Sequence, residues 1–139
     1  MECNKRYNDL AVLVVDDEQV VRRICQKILQ NKPYGVLVLD DPREALSVIK
    51  GEKPDVLGGR DIAVLLTDNN MPNMKGEQLI EQAMYNIPDA TFMMMSALPQ
   101  PEDCLIDHYL SKPFRNGDLS EAVDRAVEQY LQRLGRNTD

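Results

Sequence analysis

At 139 residues the chain suits one domain, and a domain near this size buries roughly two thirds of its unfolded surface, enough for a real core. Acidic side chains outnumber basic ones 23 to 16, for a net charge of −7. That balance argues against direct nucleic-acid binding and against docking on anionic lipid, both of which need clustered Lys and Arg. No apolar run approaches the roughly 18 residues needed to span a bilayer, and the amino end lacks the apolar core of a signal peptide. Cys3, Cys25 and Cys104 show no metal-ligand spacing, which fits a reducing cytoplasm.

Residues 1–9 form a polar lead-in. Leu10 to Val15 is continuously apolar and rich in β-branched residues, so it reads as a central parallel strand covered on both faces. It ends abruptly in Asp16, Asp17 and Glu18. Val21, Ile24, Cys25, Ile28 and Leu29 then recur at helical spacing, predicting a first helix to about Gln30. Val36 to Leu39 is a second strand. Asp41 can cap the next helix, with Pro42 at its first position and Glu44 completing a capping box. Gly51 is placed to end that helix in a left-handed conformation. Pro54, Gly58 and Gly59 make Glu52 to Asp61 a surface loop.

Ile62 to Leu66 is a short apolar run that suits a buried strand. Asp68 stands at its carboxyl end, before a loop built from Asn69, Asn70, Pro72, Asn73 and Gly76. Leu79, Ile80, Ala83 and Met84 define a third helix that stops near Asn86. Thr91 to Ser96 is a fourth strand. Its methionine triplet reads as core packing, since strand neighbours point to opposite faces and cannot converge on a metal. Pro99 and Pro101 leave space for about one helical turn, starting near Pro101. His108 to Ser111 is a short fifth strand. The final helix carries Leu119, Ala122, Val123, Ala126, Val127, Tyr130, Leu131 and Leu134, with Asn116 as its cap and Gly135 as its stop. Residues 10–135 thus form one α/β domain, followed by a tail at 136–139. Strands alternate with helices throughout, so the sheet should be parallel and doubly wound: a flavodoxin-like (βα)5 architecture of five strands, with the fourth helix shortened or missing.

In such a fold every strand's carboxyl end opens on one rim, where ligands bind. Strand one delivers Asp16 and Asp17 there, strand three Asp68, strand four Ser96 and strand five Lys112. Carboxylates about 4 Å apart repel by about 4 kcal/mol per pair at an effective dielectric near 20. A hard divalent cation relieves this, and an oxygen-only donor set suits Mg2+ or Mn2+. A cation, one Lys and one hydroxyl together can stabilise a transferring phosphoryl group. A carboxylate can itself be the nucleophile, giving an acyl phosphate.

Five blocks carry a family resemblance: Asp16-Asp17-Glu18; Asp68 with Met71-Pro72 and Gly76; Ser96-Ala97; Tyr109; and Lys112-Pro113-Phe114. In this order, each at a strand end, they resemble the receiver domain of two-component response regulators over about Ala11 to Leu134. The resemblance implies that Asp68 is the phospho-acceptor, fed by a phosphohistidine of a sensor histidine kinase or phosphotransfer protein. It implies that Asp17 binds Mg2+ directly beside Asp68, that Asp16 acts through a coordinated water, and that the backbone carbonyl of Asn70 completes the metal site. Lys112 then pairs with a phosphoryl oxygen. Ser96 is the switch hydroxyl, helped by the backbone N–H of Ala97, and Tyr109 is the switch aromatic. The bond before Pro113 is expected to be cis. The implied protein is regulatory rather than an enzyme, cytoplasmic, and controls a partner or output domain, with a homodimer compatible. Only four residues follow Gly135, too few for an output domain, so the expectation is either a single-domain regulator or a fragment of a larger protein.

The two prolines depart from the family pattern, which fits a full helix between Ser96 and Lys112. That departure keeps a second reading in view, a docking module that works without phosphorylation. A Mg2+-dependent phosphohydrolase of the haloacid dehalogenase type wants an acid two residues after its nucleophile; Asp68 has Asn70 there, and although Asp16 has Glu18, chain order and the absent cap insert disfavour that reading.

Overall fold

The computed structural model describes residues 6–100 and 106–137, with side-chain burial through residue 135. Five strands run in parallel: β1 (Leu10–Val15), β2 (Gly35–Leu39), β3 (Asp61–Asp68), β4 (Thr91–Ser96) and β5 (His108–Ser111). Their order across the sheet is β2-β1-β3-β4-β5. The described residues hold four α-helices: α1 (Gln19–Leu29), α2 (Pro42–Ile49), α3 (Gly76–Asn86) and α4 (Asn116–Asn137). Residues 97–100 and 106–107 between β4 and β5 are not helical, and the turn expected at Pro101 lies outside the described residues.

Helices cover both faces, which is why β1, most of β3 and β4 read as unbroken apolar runs. Leu10, Val12, Val14, Val64, Leu66, Met93 and Met95 pack with Cys25 and Leu29 of α1 and with the apolar stripe of α4. Leu13, Val15, Leu65, Phe92 and Met94 face the other way, against Ala45, Val48 and Ile49 of α2 and Leu79, Ile80 and Ala83 of α3. The methionine triplet alternates between the two cores as strand geometry requires. Among the described residues no helix is long and apolar enough to cross a membrane.

Several local expectations change. Asp41 accepts the Arg43 N–H at 2.8 Å and Pro42 opens α2, but Glu44 does not close a capping box; its carboxylate lies 3.9 Å from Lys53 Nζ. The segment 52–61 is more ordered than a loop: Pro54–Leu57 forms one 3-10 turn, and Asp61 already belongs to β3. β3 runs two residues past the apolar stretch, to Asp68 itself, because Thr67 and Asp68 are both buried against neighbouring strands. In α4, Asn116 is the first helical residue rather than the cap; the Arg115 carbonyl accepts from Leu119 N at 3.2 Å. Gly135 sits inside the helix, not at its stop, since a glycine without positive φ does not by itself end a helix. Gly51 does take the left-handed conformation, at φ 79°.

One feature of β3 aligns the rim. Ala11 pairs with Ile62 but Val12 pairs with Val64, so Ala63 is an extra residue in the ladder. A one-residue slip moves side chains to the opposite face. With the bulge in place Val15 pairs with Thr67, and Asp16 and Asp68 leave the sheet side by side.

Candidate functional site

Asp16 follows β1 directly. Its backbone N–H donates to the Leu39 carbonyl of β2 at 3.1 Å, which extends the sheet ladder one residue and fixes where the carboxylate emerges. The side chain is fully buried; Oδ1 accepts the Glu18 N–H at 2.8 Å and Oδ2 accepts from Lys112 Nζ at 2.8 Å. Asp68 is also buried, while Asp17 is exposed. One carboxylate oxygen from each of Asp16, Asp17 and Asp68 falls within 4.8 Å of the others. Burial chiefly, with the neighbouring Asp16 charge next, pushes the Asp68 carboxyl above its ordinary value. Burial does the same to Asp16, against the pull of Lys112 and the Glu18 N–H.

Lys112 follows β5, held by its own N–H donating to the Ser96 carbonyl at 2.8 Å. The Lys112–Pro113 peptide bond is cis. The ammonium reaches back over the rim to Asp16 Oδ2 at 2.8 Å, Glu18 Oε1 at 3.1 Å and Asp68 Oδ1 at 3.2 Å. Burial would lower its pKa, but the Asp16 and Glu18 hydrogen bonds and the Asp68 charge outweigh that and raise it, so Lys112 stays cationic. Three carboxylates therefore meet one ammonium, and the Asp16, Asp17 and Asp68 oxygens, an all-oxygen donor set open to solvent through Asp17, fit a hard divalent cation.

The β3–α3 loop is held by its own side chains. Asn69 Oδ1 accepts the Glu77 N–H at 3.1 Å and Nδ2 donates to Glu77 Oε1 at 3.2 Å, tying the loop to the first turn of α3. Asn70 is exposed, and its Nδ2 lies 3.5 Å from Ser96 Oγ. The Ser96 hydroxyl is buried and accepts the Leu98 N–H at 3.1 Å. Tyr109 Oη donates to the Leu98 carbonyl. Leu98 backbone thus links Ser96 to Tyr109, with exposed Ala97 between strand and link.

The structure brings Asp16, Asp17, Asp68 and Lys112 together at the crevice where β1 and β3 meet, places Ser96 and Ala97 at the end of β4, and sets Tyr109 within β5, from which its hydroxyl reaches Leu98. Two contributors had no assigned part in the sequence reading: Glu18, which reaches Lys112, and Asn69, which fastens the loop. The Asp-Asp-Glu run was visible as a motif, but only the side-chain reach to Lys112, 94 positions away, shows what Glu18 touches.

A response regulator receiver domain model matches residues 12–124. The chain is 30% identical over 131 residues to the putative two-component response regulator ARR21 of Arabidopsis thaliana, covering 91% of this chain and 20% of that protein. It is 29% identical over 140 residues to the two-component response regulator ARR5 of the same plant, covering 90% of this chain and 76% of that protein. In fold it is similar to a CheY-like receiver domain protein from Methanospirillum hungatei JF-1, at 23% identity and a TM-score of 0.75, with 88% of this chain and 96% of that one covered. The buried carboxylates, the lysine bridging them and a family match spanning most of the chain lead to one conclusion: this chain belongs to the response regulator receiver domains, the phospho-accepting modules of two-component signalling.

Proposed function

We propose that Asp68 takes a phosphoryl group from a phosphohistidine of a kinase or phosphotransfer protein and that the resulting acyl phosphate switches the contacts around Ser96. The observation that carries this reading is Lys112 Nζ at 3.2 Å from Asp68 Oδ1, inside a trio of carboxylates close enough to share one cation. An Asp68 oxygen attacks phosphorus, the P–N bond breaks, and the histidine nitrogen leaves. Asp16, Asp17, Asp68 and the Asn70 carbonyl would hold Mg2+, which supplies positive charge against the phosphoryl oxygens. Lys112 supplies a second, fixed positive charge beside Asp68.

The Ser96 hydroxyl already lies between Asn70 and Leu98. Turning toward a phosphoryl oxygen, with the Ala97 N–H beside it, costs the Leu98 contact. Leu98 also holds the Tyr109 hydroxyl, so the same movement loosens Tyr109. In this way one covalent change at β3 reaches β5, where an output partner can read it.

The test is direct. After incubation with Mg2+ and acetyl phosphate, intact mass spectrometry should show one added phosphoryl group on the native chain and none on Asp68→Asn. Equal labelling of both proteins, or of neither, overturns the assignment.

A further inference from the structure

We propose that Glu18 is an exchangeable counterion that occupies Lys112 in the resting protein and yields its place to the phosphoryl group. The inference rests on Asp68 being the phospho-acceptor.

An ammonium has three N–H donors. In the resting structure all three have carboxylate partners: Asp16 at 2.8 Å, Glu18 at 3.1 Å and Asp68 at 3.2 Å. A phosphoryl oxygen can therefore bond Lys112 only if one partner is released. The three differ in what release costs. Asp16 is fully buried, and a buried charge stripped of its partner is heavily penalised. Asp68 carries the incoming group and stays beneath the lysine, its side chain 5% exposed. The Glu18 side chain is 60% exposed, so water can replace the lysine at little cost. It also has somewhere to go. Glu18 lines an open groove of about 330 Å³ with Val21, Ile24, Ala97, Pro113 and Phe114.

The contact has a purpose in the resting state. The Lys112 side chain is only 12% exposed and must stay aimed at the rim while no phosphoryl group is present. Exposed Glu18 holds it there together with buried Asp16. Its carboxylate then competes with the arriving anion for the same N–H. Glu18 is thus a positioning residue whose strength sets how readily the phosphoryl state forms.

The experiment compares native protein, Glu18→Gln and Glu18→Asp for binding of beryllofluoride, a phosphoryl mimic, in saturating Mg2+ by calorimetry. Gln lacks the charge. Asp keeps the charge but is one methylene too short for the lysine. An exposed ion pair is worth roughly two- to fivefold in an equilibrium, so both variants should bind about two- to fivefold tighter than the native chain. If Glu18→Asp binds like the native protein while Glu18→Gln gains, the effect is a general field of negative charge, and the exchange is wrong. Unchanged or weaker binding in Glu18→Gln also overturns it. If the native protein itself binds no beryllofluoride, the assignment of Asp68 fails first, and that outcome is separate from either result on Glu18.

Discussion

Asp17 is the exposed member of the acidic trio, and its exposure separates its role from that of Asp16. Asp16 spends both carboxylate oxygens on protein donors, the Glu18 N–H and Lys112. That leaves Asp17 as the carboxylate most open to a cation arriving from water. A cation that binds only the folded state stabilises it by mass action, by about 2.7 kcal/mol when present at 100 times its dissociation constant. The thermal midpoint of the native chain should therefore rise as Mg2+ is added, and Asp17→Asn should abolish most of that rise. Because Asp17 is a surface residue, the variant should fold and melt near the native midpoint in chelator. A Mg2+-dependent rise that survives in Asp17→Asn would place the cation elsewhere.

The β3–α3 junction is the element that decides where Asp68 points. Gly76 opens α3, and its N–H donates to the Asn69 carbonyl at 3.1 Å. A Cβ at this position would lie 2.4 Å from the Asp68 carbonyl oxygen and 3.0 Å from Asn69 Cα. Both are backbone atoms, so strand and helix would have to part. Gly76→Ala should cost about 1–3 kcal/mol, the usual range for overpacking, and should lower phosphorylation of Asp68 further than the lost stability explains. Denaturant midpoints and intact mass after acetyl phosphate check the two effects; a variant with native values in both would show that the junction tolerates a side chain. The same junction shows what was legible in the sequence. The apolar run before Asp68, the Pro and Gly after it and the matching acids after β1 revealed the strands and the shared rim. The bulge at Ala63 left no mark, because an alanine fits a regular strand as well as a bulged one. Nor did Asn116 and Gly135 betray that α4 lacks an Asn cap and runs on past the glycine to Asn137, since ends depend on what the neighbouring chain supplies.

Across the whole molecule, three partly or fully buried groups that titrate above neutrality, from separate parts of the chain, hold their protons more tightly when folded. The Cys25 thiol of α1 lies in the core beneath β1, and burial first, then the Asp16 charge, pushes its pKa from 9.0 up to about 12. Tyr34, just before β2, is raised from 10.0 by burial and by its 2.9 Å hydrogen bond to Asp124 of α4. Lys112 is raised from 10.5 because its carboxylate partners outweigh its burial. The sign is the same for all three. Each raised pKa contributes stability that is fully present below the unfolded value and is lost as pH climbs through the folded value, because the folded state then binds more protons than the unfolded one. Each such group can tilt the stability curve downward by up to about 1.4 kcal/mol per pH unit. Unfolding free energy from urea titrations should thus be flat near pH 8 and fall steadily above pH 9. Cys25→Ala leaves a small cavity and starts lower near pH 8, yet its decline between pH 9 and 11 should be shallower, since one of the three proton-holding groups is gone. Parallel curves for the two proteins would mean that Cys25 ionises as readily in the fold as outside it, and that the core beneath β1 is open to water.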